Sequence, residues 1–394
     1  MQKVITMVGT SLFENYMEKC NDQNFRNYFT DLKDKNTKEY DNEKDRIERI
    51  KNKIDEWLKR SVDKTNACAE IKSLAKLRKE LKEDLEIYFL SSDTIPSKLA
   101  MEIIEQRWSD FNELKDCKFH TDVINDLQIK DRSKFNSGMV NLINKVYKIA
   151  NEYWQDVIIN ITAGYKATLP YLTILAQVNK CPIYYIFEDT DALIKIPYIP
   201  LDINWRIFKD NKKLFMEMEK EEIKEIPPGV YYREEIESLI ERADNLISLN
   251  PLGVALWEKY KERFDIFYIS DEVNSSLDEQ KKICEKSFLE LKKRLKENPS
   301  DRDLNHGLRD VDLGEFRCFK HKEENLQVRI LYTTKEWTTR YGTSEIDIYI
   351  GSIAMGTEVH NAGSNAEYVE KFKRLLEREE IKNLDNYEIY RIEK

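Results

Sequence analysis

The chain has 394 residues, 41% of them hydrophobic, and a formal net charge of −9. That length predicts two or three domains, and that apolar content excludes wholesale disorder. The acidic balance excludes a general attraction to nucleic acid, so any RNA or DNA contact has to come from a local patch.

Six cysteines with no CxxC pair and no metal-ligand spacing predict reduced thiols in a soluble, cytoplasmic protein. No apolar stretch approaches a membrane span, and the opening KVITMVG is too short for a signal peptide. VITMVGTSLFENY (residues 4–16) predicts a strand ending at Gly9, then Thr10, Ser11 and a helix. Residues 31–85 break this rhythm with dense charge. Ile47, Ile50, Ile54 and Trp57 recur at helical steps, as do Ile71, Leu74 and Leu81. They predict an inserted pair of long helices packed as a hairpin, a solvated structural or dimer-supporting arm because its charges are mixed in sign.

LEIYFLSSDTIPSKLAMEIIEQRW (85–108) is a further strand–loop–helix unit, with Ser91, Ser92, Asp93 and Thr94 at the strand end. DVIINITAGYKATLPYLTILAQV (156–178) predicts a buried strand, a polar loop from Thr162 to Lys166, and a helix with Pro170 in its opening turns. Free N–H groups at that helix start, the flexible Gly164 and the cation Lys166 suit an anion such as phosphate. An ordinary strand–helix turn is the plainer alternative. CPIYYIFED (181–189) adds another strand, and the alternation predicts a parallel α/β sheet. Ligands of such sheets sit beyond the carboxyl ends of the strands, where both the 9–11 and 162–166 loops fall.

After PYIPLDINW (197–205) the pattern turns helical. KEIPPGVYY (224–232) is a punctuated linker, and the stretch 234–264 reads as two helices around Asn250-Pro251-Leu252-Gly253. From about Phe264 a strand, a charged helix over 277–297, three strands (EFRCFKHK, LQVRILYTT, EIDIYIGSIA), a helix and a terminal strand predict a small α+β domain. Alternation puts Arg317 with Phe319 on one face and Cys318 with Lys320 on the other, and Arg329 across the hairpin meets one of them. Between Arg317 and Arg340, the bases Arg317, Lys320, Lys322, Arg329, Lys335 and Arg340 outnumber the acids Glu323, Glu324 and Glu336. Such a local positive strip is what RNA contact requires.

VGTSLFEN, NITAGYKATLP, and IYYIFED followed by PYIPLDINW together resemble a CARF domain, the Rossmann-like sensor of type III CRISPR systems, over residues 1–205 with 31–85 as an insertion. The resemblance implies a homodimer that binds a cyclic oligoadenylate, cyclic tetraadenylate, as allosteric activator, with no cofactor. The implied ligand residues are Gly9, Thr10, Ser11, Thr162, Ala163, Gly164, Tyr165 and Lys166, with Asn15, Ser92 and Thr94 at the margin. Many relatives carry a second glycine where this chain has Ala163.

Residues 304–336 resemble the core of a RelE-type toxin, through Gly307-Leu308, Phe316-Arg317-Cys318-Phe319-Lys320 and Val328-Arg329-Ile330-Leu331-Tyr332. That resemblance spans 264–394 and leaves 206–263 as a helical linker. It implies a metal-independent ribonuclease acting on mRNA in the ribosomal A site. Arg329 would clamp phosphate, Arg317 and Lys320 would stabilise the transition state, and His321 would serve as acid–base group. His360 would act as general acid and Tyr368 would stack on a base. The expected whole is an α/β Rossmann-like CARF domain with an inserted helical arm, a helical linker, and a C-terminal α+β RelE-like domain.

Two rivals stay open. Asp347 with Glu358-x-His360 resembles the Asp…Glu-x-Lys set of metal-dependent nucleases, in which two acids hold Mg²⁺ or Mn²⁺. A ligand-sensing transcription regulator would use 233–263 to bind DNA, although that segment is acidic. A HEPN pair, Arg-x(4–6)-His, is one residue too long for either Arg302–His306 or Arg317–His321.

Overall fold

The computed structural model describes residues 1–61, 64–128, 132–187, 191–220, 223–243, 245–308, 311–323, 325–338, 344–360 and 367–393. They form two compact units, Met1–Lys259 and Tyr260–Lys394. Among the described residues no helix is long and apolar enough to cross a membrane.

In the first unit, β1 (Gln2–Val8), β2 (Leu85–Ser92), β3 (Lys118–Ile124), β4 (Val157–Asn160), β5 (Ile183–Phe187) and β6 (Ala192–Ile196) make one sheet in the order β3-β2-β1-β4-β5-β6. All neighbours are parallel except β6, which is antiparallel to β5. The central strands are apolar almost throughout, because helices cover both faces. The strand order reverses between β1 and β4, which opens a crevice at their carboxyl ends.

The charged segment is not a separate arm. Its helices α3 (Lys44–Arg60) and α4 (Ala69–Leu81) belong to the crossover from β1 to β2, with α1 (Ser11–Lys19) and α2 (Gln23–Leu32). Instead of pairing as a hairpin, α3 packs on α2 and on α5 (Ile95–Gln106), and α4 lies on β1, β5 and β6. Ile47, Ile50, Ile54, Leu58, Ile71 and Leu74 share one core with Val4, Ile87 and Phe89. The apolar stripes were legible, but a parallel crossover has to cover its sheet, and the stripes are buried there.

Beyond α6 (Arg132–Ala150) and α7 (Leu169–Asn179), the predicted helical linker also departs from expectation. Residues Ile240–Ala243 (β7) and Leu246–Leu249 (β8) form an antiparallel hairpin before the helix Pro251–Lys261. The register pairs Ala243 with Leu246, leaving a two-residue turn in which Asn245 has φ +63°. Asn tolerates that left-handed conformation, and such turns match the twist of paired strands.

The second unit has a sheet of order β10-β11-β12-β9-β13, from β9 (Phe264–Ile269), β10 (Arg317–Glu323), β11 (Leu326–Thr338), β12 (Ser344–Met355) and β13 (Glu388–Glu393). β10, β11 and β12 form an antiparallel meander, β9 runs parallel to β12, and β13 antiparallel to β9. The helix Asp271–Glu297 packs Cys284, Phe288 and Leu291 against Phe319, Ile330 and Tyr332. The other face takes Tyr368, Phe372 and Leu375 of the helix Glu367–Leu376 against Cys318, Leu331 and Ala354. This is the α+β order that the sequence predicts.

Candidate functional site

At the crevice of the first sheet the loops after β1 and β4 touch. A Cβ on Gly9 would stand 3.0 Å from the Gly164 nitrogen, and one on Gly164 would stand 2.2 Å from the Met7 Cβ. Gly164 also has φ +95°, which only glycine adopts freely. Backbone approach therefore requires glycine at 164, in the loop after β4, and leaves a side chain at position 9 little room.

The donors of the β1 loop are already engaged. Glu70, 1% exposed and carried by α4, accepts the Gly9 N–H through Oε1 and the Ser11 hydroxyl through Oε2, both at 2.7 Å. Ser11 Oγ in turn accepts the Ala69 N–H at 3.0 Å, so a carboxylate of the chain occupies the donors expected to face phosphate. Asn15 donates to the Ala67 carbonyl at 3.0 Å, and Thr10 to Glu14 at 2.8 Å. Ser92 is buried and shares a hydrogen bond with Thr94 at 3.0 Å.

The β4 side is more open. Buried Asn160 accepts from the Thr162 N–H and hydroxyl at 3.3 and 2.8 Å, and donates to Ser73 at 2.7 Å. Thr162 Oγ1 accepts the Ile186 N–H at 3.0 Å, fixing the loop to β5. The Tyr165 carbonyl takes the Thr168 N–H. The N–H groups of Ala163 and Gly164 and the exposed Lys166 ammonium have no acceptor among the described residues. An anion at the switch point would meet these groups before it met Gly9 or Ser11.

In the second unit the strand register sorts the expected catalytic residues into two groups. Lys320 on β10 stands directly opposite Arg329 on β11, on the face that carries Cys318 and Leu331. Like charges placed directly across a strand pair destabilise it, and a bound anion would offset that cost. Arg329 is 7% exposed. It donates to the Val328 carbonyl at 2.9 Å and to Gln327 Oε1 at 3.2 Å, its Nε has no partner, and no carboxylate meets it among the described residues. Its guanidinium lies 5.8 Å from the Tyr368 ring centre. Tyr368 is itself buried against Phe372, so it supports Arg329 by cation–π contact instead of offering a free face to a base.

Arg317 and His321 lie on the opposite face. Arg317 reaches the Tyr332 hydroxyl, and His321 stacks on Phe319 and meets Glu323 at 3.3 Å. Glu323 is held below the usual carboxylate range, chiefly by its hydrogen bond from Lys286. The His360 side chain and Arg340 lie outside the described residues.

The metal-nuclease pair is not brought together. Asp347 stands opposite Lys335, eight residues before Met355 on β12, while Glu358 accepts the Met355 N–H at 3.2 Å. At roughly 3.3 Å per residue the two acids are set apart by about 26 Å of strand. Among the described residues no three His, Cys, Asp or Glu side chains converge as a metal site.

One residue with no role in the expected catalytic set is His306. Its N–H donates to the Cys318 carbonyl at 2.8 Å, laying the segment 302–307 along the outer edge of β10. Burial, then Arg329 and Lys320, push its imidazole below the ordinary histidine value, while Asp303 opposes them. Nothing in local sequence signals this, because the strand register brings the cations together.

Comparison with known proteins bears on the first unit. No curated protein matches the chain. Residues 65–199, from the turn before α4 to just past β6, match the family model described as CRISPR-associated protein (Cas_APE2256), and this stretch carries a CRISPR-associated protein domain.

Proposed function

We propose that the chain is a ligand-activated endoribonuclease of CRISPR defence. In this reading the first unit binds cyclic tetraadenylate across a homodimer, with the Ala163–Lys166 loop taking phosphate. The second unit cuts mRNA at the ribosomal A site through attack by the RNA's own 2′-hydroxyl. The observation that carries the reading is the buried Arg329 guanidinium, with an unpartnered Nε and no carboxylate among the described residues, facing Lys320 across the strand pair. A buried charge without a counter-charge is expensive, and a scissile phosphate would supply one.

The chemistry asks little else of the protein. A phosphorane gains negative charge on its equatorial oxygens, and fixed cations in a partly dry site stabilise it. The match to a CRISPR-associated family supports the context, and the polar β4 loop at the switch point supports a phosphorylated effector. Product ends test the chemistry. Cleavage through the 2′-hydroxyl leaves a 2′,3′-cyclic phosphate and a 5′-hydroxyl, and 5′-phosphate ends would contradict it.

A further inference from the structure

We propose that His306 accepts the 2′-hydroxyl proton, acting from a cleft at the outer edge of β10 in which Arg302 and Arg317 hold an RNA phosphate that flanks the scissile one. This deepens the ribonuclease reading above and rests on it. The cleft has a volume of about 650 Å³ and is lined by Arg302, Asn305, His306, Gly307 and Arg317, among others. That is within the roughly 300–1,000 Å³ of small-ligand sites.

The wall is built and held. Asp301 caps the turn Arg302–Asn305 by accepting the Asp303 N–H at 3.0 Å. Buried Leu304 receives the Tyr332 hydroxyl on its carbonyl at 2.8 Å. The backbone bond from His306 to Cys318 pins the end of the segment to β10, the edge strand of its sheet. The imidazole is half-buried and remains accessible.

Charge selects an anion. The acids of this wall, Asp301 and Asp303, both pair with Arg294 Nη1, at 3.1 and 3.2 Å. Neither Arg302 nor Arg317 has a carboxylate partner among the described residues. His306 thus shares the cleft with two arginines and feels the cations Lys320 and Arg329, with Asp303 as the one acid acting on it among the described residues. Those surroundings favour the neutral imidazole, the form with a free lone pair for a proton. His321 is less suited, since it does not line the cleft and is tied to Glu323.

The step balances without a further reactant. The proton passes from the 2′-hydroxyl to the His306 imidazole as the 2′-oxygen bonds phosphorus. The P–O5′ bond breaks, and the 5′-oxygen leaves with the electron pair and takes a proton from water. The imidazolium then returns its proton to solvent.

The test uses the full chain with cyclic tetraadenylate and mRNA on translating ribosomes. His306→Ala should lose about 10²- to 10⁴-fold in cleavage rate, and added imidazole should restore part of it. Wild-type rate should fall on acidification through a value below about 6.5, and the rescued variant should follow imidazole's own titration instead. The variant keeps the backbone bond to Cys318. If it nonetheless unfolds, His306→Gln is measured in its place, with an unchanged melting temperature as the control. Wild-type cleavage with either variant undiminished overturns the assignment of His306 alone. Absence of cleavage by the wild-type chain overturns the ribonuclease reading and the assignment with it.

Discussion

Arg329 sets function against stability at a single residue. Its guanidinium is buried with an unpartnered Nε, so Arg329→Met removes a desolvated charge and fills the same volume. Such replacements are often neutral or stabilising, by up to about 1–4 kcal/mol. We expect Arg329→Met to keep or raise the melting temperature while cleavage falls about 10²- to 10³-fold, as when one transition-state donor is lost. A parallel fall in both would make Arg329 a structural residue. Arg329 was singled out in the sequence by its place in the Val-Arg-Ile-Leu-Tyr segment that resembles a RelE-type core. His306 was not, since its surroundings arise from the β10–β11 register and not from neighbours in the chain.

At the scale of elements, α4 is the part whose role changed most between sequence and structure. Its helical stripe was readable, but Glu70 looked like one more acid in a charged run. In the fold it is the acceptor that closes the β1 loop on Gly9 and Ser11. Glu70→Ala leaves both donors without their acceptor, and should destabilise the protein by about 1–3 kcal/mol, read as a lower denaturation midpoint. Gly164→Ala should do at least as much harm, because it combines positive φ with a clash against Met7.

Edge elements were the least legible. β3 reads Lys-Phe-His-Thr-Asp-Val-Ile, an edge strand with exposed polar positions and no apolar run to announce it. The β7–β8 hairpin was mistaken for helix because Ile236, Leu239 and Ile240 happen to recur at helical steps. The turn chemistry of Asn245, with φ +63°, outweighed that spacing. The second unit was read in full order, because its strands alternate cleanly and its helices carry strong apolar stripes.

For the molecule as a whole, acid is the expected weakness. Asp22 beside Lys53, Glu43 beside Lys35 and Arg46, Asp191 beside Lys72, and Glu323 beside Lys286 are all held below the usual carboxylate range by these hydrogen-bonding cations. A carboxylate whose folded pKa is depressed contributes stability above its unfolded value, and loses it as pH falls through the folded one. The melting temperature should therefore hold above about pH 5 and drop below about pH 4. Lys53→Met should shrink the part of that drop due to Asp22, and an unchanged profile would contradict the assignment.

The net charge of −9 and the cationic edge of the second sheet also belong together at this scale. Contact with RNA confined to a few cations should be weak until something else positions the substrate, as a ribosome would. Activation requires that the ligand bind one arrangement of the dimer more tightly than another.

The most direct measurement is cleavage of an mRNA on translating ribosomes, with and without cyclic tetraadenylate, by the wild-type chain and by Arg329→Ala. The account predicts cuts that the ligand stimulates and that Arg329→Ala abolishes. Cuts indifferent to the ligand, or undiminished in Arg329→Ala, would contradict it.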